Sequence, residues 1–345
     1  MKRPPDMRPF FLLTLLSLLS LEITAAQSAE VAHIHILDSG RSTNLRGLSS
    51  RDGSEIWVSG SNGWVGHTKD GGSSWNWLQP QGYQQRDFRD VQALGNGSAV
   101  IMGIDTPAVL LKTTSGGTAW KQVYFNNTPG MFLDAMDFSD NQNGIVVGDP
   151  VGGQIFLART QDGAESWQAF TPVFKDSVLS GEAFFAASGS NIHLEDGGYF
   201  LLPSGGAVSR FWNSSRQRAP VLLPLQQGIL SAGPNGMDVQ GNIIAIAGGD
   251  YTKPGQGDSC FALSFNGGRT WEPQHALPGY GSAVAIINKH TLIACGLTGV
   301  WISYTSGKSW QTLDNTPFNA LLYIKKQNRL LLAGPHGKIG VLENF

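Results

Sequence analysis

Short apolar runs recur along the chain, each followed by a glycine-bearing turn and a second apolar run. The pairs are "EIWVSGSNGWVGHT" (Glu55–Thr68), "AVIMGIDTPAVLLKT" (Ala99–Thr113), "GIVVGDPVGGQIFLART" (Gly144–Thr160), "GYFLLPSGGAVSRFW" (Gly198–Trp212), "IIAIAGGDYTKPGQGDSCFALS" (Ile243–Ser264), "TLIACGLTGVWIS" (Thr291–Ser303) and "RLLLAGPHGKIGVL" (Arg329–Leu342). Runs of this length, rich in β-branched and aromatic residues and broken at glycine, predict antiparallel strand hairpins. Upstream of the hairpins lie further short candidate strands such as "LRGLS", "FRDVQAL", "LDAMDF" and "GSAVAII". Three strands of this kind plus one after the turn make a four-stranded propeller blade.

Five hairpins end in a second repeated string: "TKDGGSSW" (Thr68–Trp75), "TTSGGTAW" (Thr113–Trp120), "TQDGAESW" (Thr160–Trp167), "SFNGGRTW" (Ser264–Trp271) and "SYTSGKSW" (Ser303–Trp310). Successive tryptophans Trp75, Trp120 and Trp167 are 45 and 47 residues apart, and Trp271 and Trp310 are 39 apart. Repeats of 40 to 50 residues point to propeller blades. The 104 residues between Trp167 and Trp271 leave room for one worn copy, expected around Asn213 to Pro220. The last copy runs out at Phe345 without an outer strand, while the alternating "VAHIHIL" (Val31–Leu37) stands alone near the start. Closing a ring removes exposed strand edges, so this segment is predicted to complete the seventh blade. The expectation is one all-β, seven-bladed propeller over residues 31–345.

The string S/T-x-D-x-G-x-x-W is the Asp-box, or BNR, hairpin of sialidase-like propellers. A short polar side chain caps the N–H groups of a tight turn, glycine supplies positive φ, and tryptophan covers the blade flank. At the capping position stand Asp70, Ser115, Asp162, Asn266 and Thr305, and Gly72 is replaced by Ala164 in the third copy. A catalytic carboxylate does not tolerate such exchange. The boxes, with Trp75, Trp120, Trp167, Trp271 and Trp310, are read as structural.

Strand order then locates the chemistry. With strands running from the axis outward, the boxes occupy one face, and the crossings between blades share the other face with the turns between second and third strands. That second face carries Arg46, Arg86, Asp87, Arg89, Asp90, Asp134, Glu182, Ser282 and Asn319 from the crossings, and Asp149, Arg210, Asp250, Tyr251 and Lys253 from the turns. Arg46, Arg89, Asp90, Asp134, Glu182, Arg210 and Asp250 are expected to converge on one mouth of the central channel. One reading is mutual pairing that satisfies strand ends. The other is a recognition cleft for a small anion, a glycan or a peptide terminus, with Arg46, Arg89 and Arg210 reading a carboxylate.

Charge narrows the partners. Only 14% of residues are charged and the formal net charge is −2, so the basic field that nucleic acid or an anionic membrane attracts is missing. At the N-terminus, Lys2, Arg3 and Arg8 precede the apolar run Phe10–Leu21 and the small residues of Thr24–Ala29, the layout of a signal peptide over about residues 1–26. The mature chain is then periplasmic or secreted and has no membrane span, and a monomer is expected. Cys260 and Cys295 leave a disulfide open but are too few for a four-ligand zinc site.

The succession "LRGL", "TKDGGSSW", "RDFRDVQA", "FLDAMDF", "GIVVGDPVGG", "GEAFFAASG", "SGGAVSR", "GGDYTKP", "GGRTW", "GYGSAVA" resembles the exported bacterial BNR-repeat propellers grouped with photosystem II stability/assembly factors, across nearly all of residues 41–345. The resemblance implies the propeller fold and a scaffold that binds a partner protein. A sialidase-like glycosidase is the enzymatic alternative. Tyr251 with Glu182 imitates its nucleophile couple and Asp134 with Glu182 a two-carboxylate hydrolase, but "FRDV" (Phe88–Val91) stands where sialidases carry F/Y-R-I-P. No cofactor is expected: "GGDYTKPGQG" joins two strands and lacks the helix a dinucleotide fingerprint needs. No metal is expected either, because His33 and His35 share a strand face with no third ligand in view.

Overall fold

In a computed structural model, residue 1 and residues 32–172, 174–216, 219–272 and 276–345 are described. Of the predicted signal peptide, residues 2–26 lie outside them. Residues 32–345 form one compact unit, a seven-bladed β-propeller.

Strand β1 (His33–Asp38) precedes the first blade, which contains β2 (Leu45–Ser50), β3 (Ile56–Gly60), β4 (Val65–Thr68) and β5 (Asn76–Leu78) from the axis outward. The second blade is β6 (Phe88–Gly95), β7 (Ser98–Gly103), β8 (Ala108–Thr113) and β9 (Lys121–Asn126); the third is β10 (Leu133–Phe138), β11 (Gly144–Val151), β12 (Gln154–Thr160) and β13 (Gln168–Phe170). In the fourth, β14 (Glu182–Ala183) and β15 (His193–Leu194) both pair with β16 (Phe200–Gly206), followed by β17 (Arg210–Asn213) and β18 (Val221–Leu222). The fifth shows β19 (Ala232–Gln240), β20 (Ile243–Asp250) and β21 (Phe261–Ser264), and the sixth β22 (Ala283–Ile286), β23 (Leu292–Gly296), β24 (Gly299–Ser303) and β25 (Gln311–Asp314). The seventh is β26 (Ala320–Ile324), β27 (Arg329–Ala333) and β28 (Ile339–Glu343) with β1 as its outer strand.

The ring therefore closes by the N-terminal strand, with His33 opposite Glu343 and His35 opposite Val341. Trp77 of β5 donates its indole N–H to Asp38 at 2.7 Å, tying this closing strand to the first blade. The worn fourth box is a short 3-10 turn, Ser214–Arg216.

Within a box, the side chains do what their types suggest. Asp70 accepts from Thr68 Oγ1 at 2.7 Å and from the Ser74 amide at 2.9 Å. Asn266 accepts from the Ser264 hydroxyl and the Thr270 amide in the same way, so the negative charge is dispensable. The box tryptophans are all half-buried and wedge against the preceding blade: Trp120 meets Trp57, Trp271 meets Phe211 and Trp310 meets Phe261, with centroids 6.1, 5.1 and 5.2 Å apart. The second box glycine has two reasons to be glycine. Gly268 and Gly307 have φ of +73° and +78°, and a Cβ on either would overlap the Phe211 or Phe261 ring.

Hydrogen bonds from Ser74 and Thr68 hold the Asp70 carboxyl well below the usual range, and those from Ser166 and Thr160 hold Asp162 at about 2. Because both groups titrate lower in the folded chain, the stability they contribute is complete above the unfolded carboxylate range. It is lost as pH falls from about 4 towards 2. The Asp70→Asn/Asp162→Asn double variant should therefore show a flatter melting temperature between pH 4 and pH 2 than the parent; an unaltered slope would contradict the capping role. Trp75→Ala removes the wedge between the first blade and Leu37, Leu331 and Val341 of the seventh. It is expected to cost about 3 kcal/mol in thermal or denaturant unfolding.

Candidate functional site

The innermost strand of each sheet has one edge with no strand partner, and its backbone groups need other hydrogen bonds. Neighbouring blades supply them. Asp90 Oδ2 accepts from the Met136 amide at 2.7 Å while Gln92 Nε2 donates to the Met136 carbonyl at 2.8 Å. Asp238 and Gln240 grip the amide and carbonyl of Ile286 in the same way. Both clasps come from an Asp-Val-Gln triplet, whose first and third side chains leave a strand on the same side. Asp137 accepts from the Leu194 amide, and Asn319 donates to the Leu45 carbonyl where the ring closes. Asp90 thus belongs to the blade seam, buried, and not to an open rim.

The inner strand of the fourth blade is interrupted between β14 and β15. Residues 184–192 leave the sheet and enter the channel as a plug. Ala187 accepts from Arg46 of the first blade, Gly189 abuts Asp90 of the second, and the Ser188 hydroxyl donates to the Asn235 carbonyl of the fifth. Small residues in "AASGS" allow this approach to three blades. The excursion divides the channel into two mouths.

On the face opposite the boxes, Arg46 lies within electrostatic reach of Arg89, Asp87 and Tyr280, and Asp134 within that of Arg89 and Asp149. Burial lowers the Arg46 pKa, and the neighbouring Arg89 guanidinium lowers it further. Among the described residues Arg46 has no carboxylate in salt-bridge contact; its bond is to the Ala187 carbonyl at 3.0 Å. Arg89 pairs with Asp87 at 2.8 Å and stays part-exposed. Asp134 is fully buried, and neither carboxylate oxygen has a hydrogen-bond partner among the described residues. Burial raises its pKa well above the usual range, and Asp149 adds to this.

Arg210 is not a free reader. Its guanidinium forms a buried ion pair with Glu182, donates to the Ser177 carbonyl at 2.9 Å and stacks on Trp212. Glu182 is saturated by Arg210, the Ser204 hydroxyl and the Leu179 amide. Asp250 accepts from the Thr252 amide and hydroxyl and lies 3.9 Å from Lys253, while Tyr251 is half-exposed. Cys260 and Cys295 are buried free thiols, and burial pushes Cys260 up to about 12.

The other mouth, on the box face, is a cavity of about 370 Å³ whose lining includes Gln92, Asp137, His193, Asp238, Gln240 and Lys325. Burial lowers the His193 pKa, but Asp137, 3.4 Å away, together with Glu195 and Asp238, raises it overall. Of the residues predicted to form the rim, Asp90 lines this mouth instead, at the blade seam. The sequence signal for this mouth was the recurrence of Met-Asp at Met136-Asp137 and Met237-Asp238 in two inner strands.

Breaking a buried ion pair strands one charge. Glu182→Gln is expected to lower stability by about 3 kcal/mol, with Arg210→Ala comparable and the double variant less than additive. Denaturant melts of the three variants check this, and additive losses would deny the coupling.

A model of the family "photosynthesis system II assembly factor YCF48" matches residues 43–216. Two solved YCF48 structures have the same fold. One is described as YCF48 bound to D1 peptide, with a TM-score of 0.63 and 17% identity over 90% of this chain and 96% of that one. The other, YCF48 from Cyanidioschyzon merolae, has a TM-score of 0.63 and 15% identity over 90% and 99%. The computationally designed Ika8 protein follows at 0.54 and 12%, over 89% and 99%. No curated protein sequence matches the chain. The matched blades carry the first three boxes, the arginines of the channel mouth and the Glu182–Arg210 pair, and the chain belongs to the photosystem II assembly factor YCF48 family of BNR propellers.

Proposed function

We propose that this protein is an exported, non-catalytic binding propeller that holds a segment of an envelope or secreted protein at the channel mouth opposite the boxes. Arg46 and Arg89 receive an anionic group of the partner, a peptide-terminal carboxylate being the simplest fit. The observation that carries this reading is Arg46 itself: a part-buried guanidinium beside a second arginine, held in place by a carbonyl and, among the described residues, lacking a carboxylate in salt-bridge contact. A guanidinium so placed has donors left for a carboxylate and gains from neutralisation. A solved relative in fold is described with a bound peptide, which favours a protein partner over a glycan.

Export rests on the N-terminal charge and hydropathy pattern, and among the described residues no helix is long and apolar enough to cross a membrane. A glycosidase needs an acid and a nucleophile open to substrate at a set separation. Glu182 is enclosed by its own partners, so neither Tyr251 nor Asp134 has it as a working companion.

The test is affinity capture from envelope extract with the mature chain and with Arg89→Ala, alongside titration with a peptide bearing a free C-terminal carboxylate and its amidated twin. Arg89→Ala is expected to keep its melting temperature and lose the captured partner. The amidated peptide should bind at least about tenfold more weakly. Equal binding of the two peptides, or glycoside turnover abolished by Tyr251→Phe, would overturn the proposal. Elution on size exclusion at monomer size is expected throughout.

A further inference from the structure

Beside the arginine pair, on the same face, a groove of about 700 Å³ runs between the third and fourth blades. Its walls include Pro150, Val178, Leu179 and Leu230, and glycines at 130, 153 and 181 keep it shallow of side chains. Leu179 and Leu230 are 51% and 72% exposed, and Ile229 next to Leu230 is 46% exposed. An apolar pair this open on one rim is unusual for surface that meets only water.

The polar content of the groove has one sign. Glu182 at its base is neutralised by Arg210. Asp149 is not: Oδ1 accepts from the Phe184 amide at 3.0 Å, and among the described residues no cation lies within salt-bridge distance. Near it stands Asp134, fully buried and within electrostatic reach of both Asp149 and the Arg89 guanidinium. Asp149 is thus an acidic side chain of the groove wall left, among the described residues, without a cation in salt-bridge distance, where an incoming ammonium or guanidinium would meet it.

We infer that this groove docks an extended apolar segment of a partner protein carrying one lysine or arginine, with the apolar side chains over Leu179 and Leu230 and the cation on Asp149. Burial raises Asp149 from the ordinary carboxylate range, and an arriving cation reverses that direction. The inference builds on the reading of this face as a partner-binding surface, but it uses different residues and the opposite charge from the arginine pair. A partner that engages both sites presents an acidic group and a basic one on either side of an apolar stretch.

The experiment uses the mature chain and two peptides with blocked ends, acetyl-Leu-Lys-Leu-Val-amide and acetyl-Leu-Glu-Leu-Val-amide. Neither offers a terminal carboxylate to the arginines. The lysine peptide is expected to bind at least about tenfold more tightly than the glutamate peptide, shifting backbone amide resonances of residues 149, 179, 181 and 230. Asp149→Asn keeps the acceptor for Phe184 and should erase the preference between the peptides. Leu230→Ser should weaken the lysine peptide and leave the melting temperature unchanged. Equal affinity of the two peptides, absence of binding, or shifts confined to another face would overturn the inference. Capture of a carboxylate-terminated peptide by Asp149→Asn at parental strength shows that the arginine site survives independently.

Discussion

Each inner strand of a propeller meets its own blade on one side and the channel on the other, and the channel side has no strand to complete it. The structure depends on how that edge is satisfied. Here blade-to-blade side chains do it: Asp90 with Gln92 on Met136, Asp238 with Gln240 on Ile286, Asp137 on Leu194 and Asn319 on Leu45. A buried amide left without a partner costs roughly 1–3 kcal/mol, a cost that each clasp avoids. Burial raises the pKa of Asp90 and Asp238, against the pull of the amides they accept from.

The same requirement explains the division of labour between faces. On the outer part of the ring, box tryptophans and the paired glycines let one blade lean on the aromatic residue of the one before it. Near the axis, the excursion at residues 184–192 fills what would be an open pore and takes Arg46 as a strut from across the channel. A guanidinium held by a single carbonyl is well oriented and poorly neutralised. That combination is what the proposed binding role of Arg46 rests on.

The acidic groups of the face opposite the boxes divide by environment. Glu182 is matched by Arg210 and enclosed, so it stabilises the fourth blade. Asp149 lines an apolar groove with no cation in salt-bridge distance among the described residues, while Asp134 is buried within reach of Asp149 and Arg89. In the proposed reading the arginines take an anion and the groove a cation. Surfaces of this kind select partners by charge order along a segment more than by total charge.

Hairpin periodicity, the box spacing and the unpaired "VAHIHIL" determined seven blades and closure by the N-terminal strand, because strand edges and glycine turns are local consequences of local sequence. The face on which the crossings lie was also legible, since strand alternation fixes it. What only the tertiary structure decided is which charges remain available. Asp90, Arg89 and Arg210 look alike on paper, as charged residues next to strand starts, yet Asp90 turns into a seam, Arg210 is consumed by Glu182 and Arg89 stays part-exposed. The plug was equally hidden: "GEAFFAASG" resembles any other inner strand until Ala187 and Gly189 meet residues of the first and second blades, roughly 100 to 140 positions away in the chain. Pairing between residues so distant depends on the curvature of the closed ring, and no window of sequence contains that curvature.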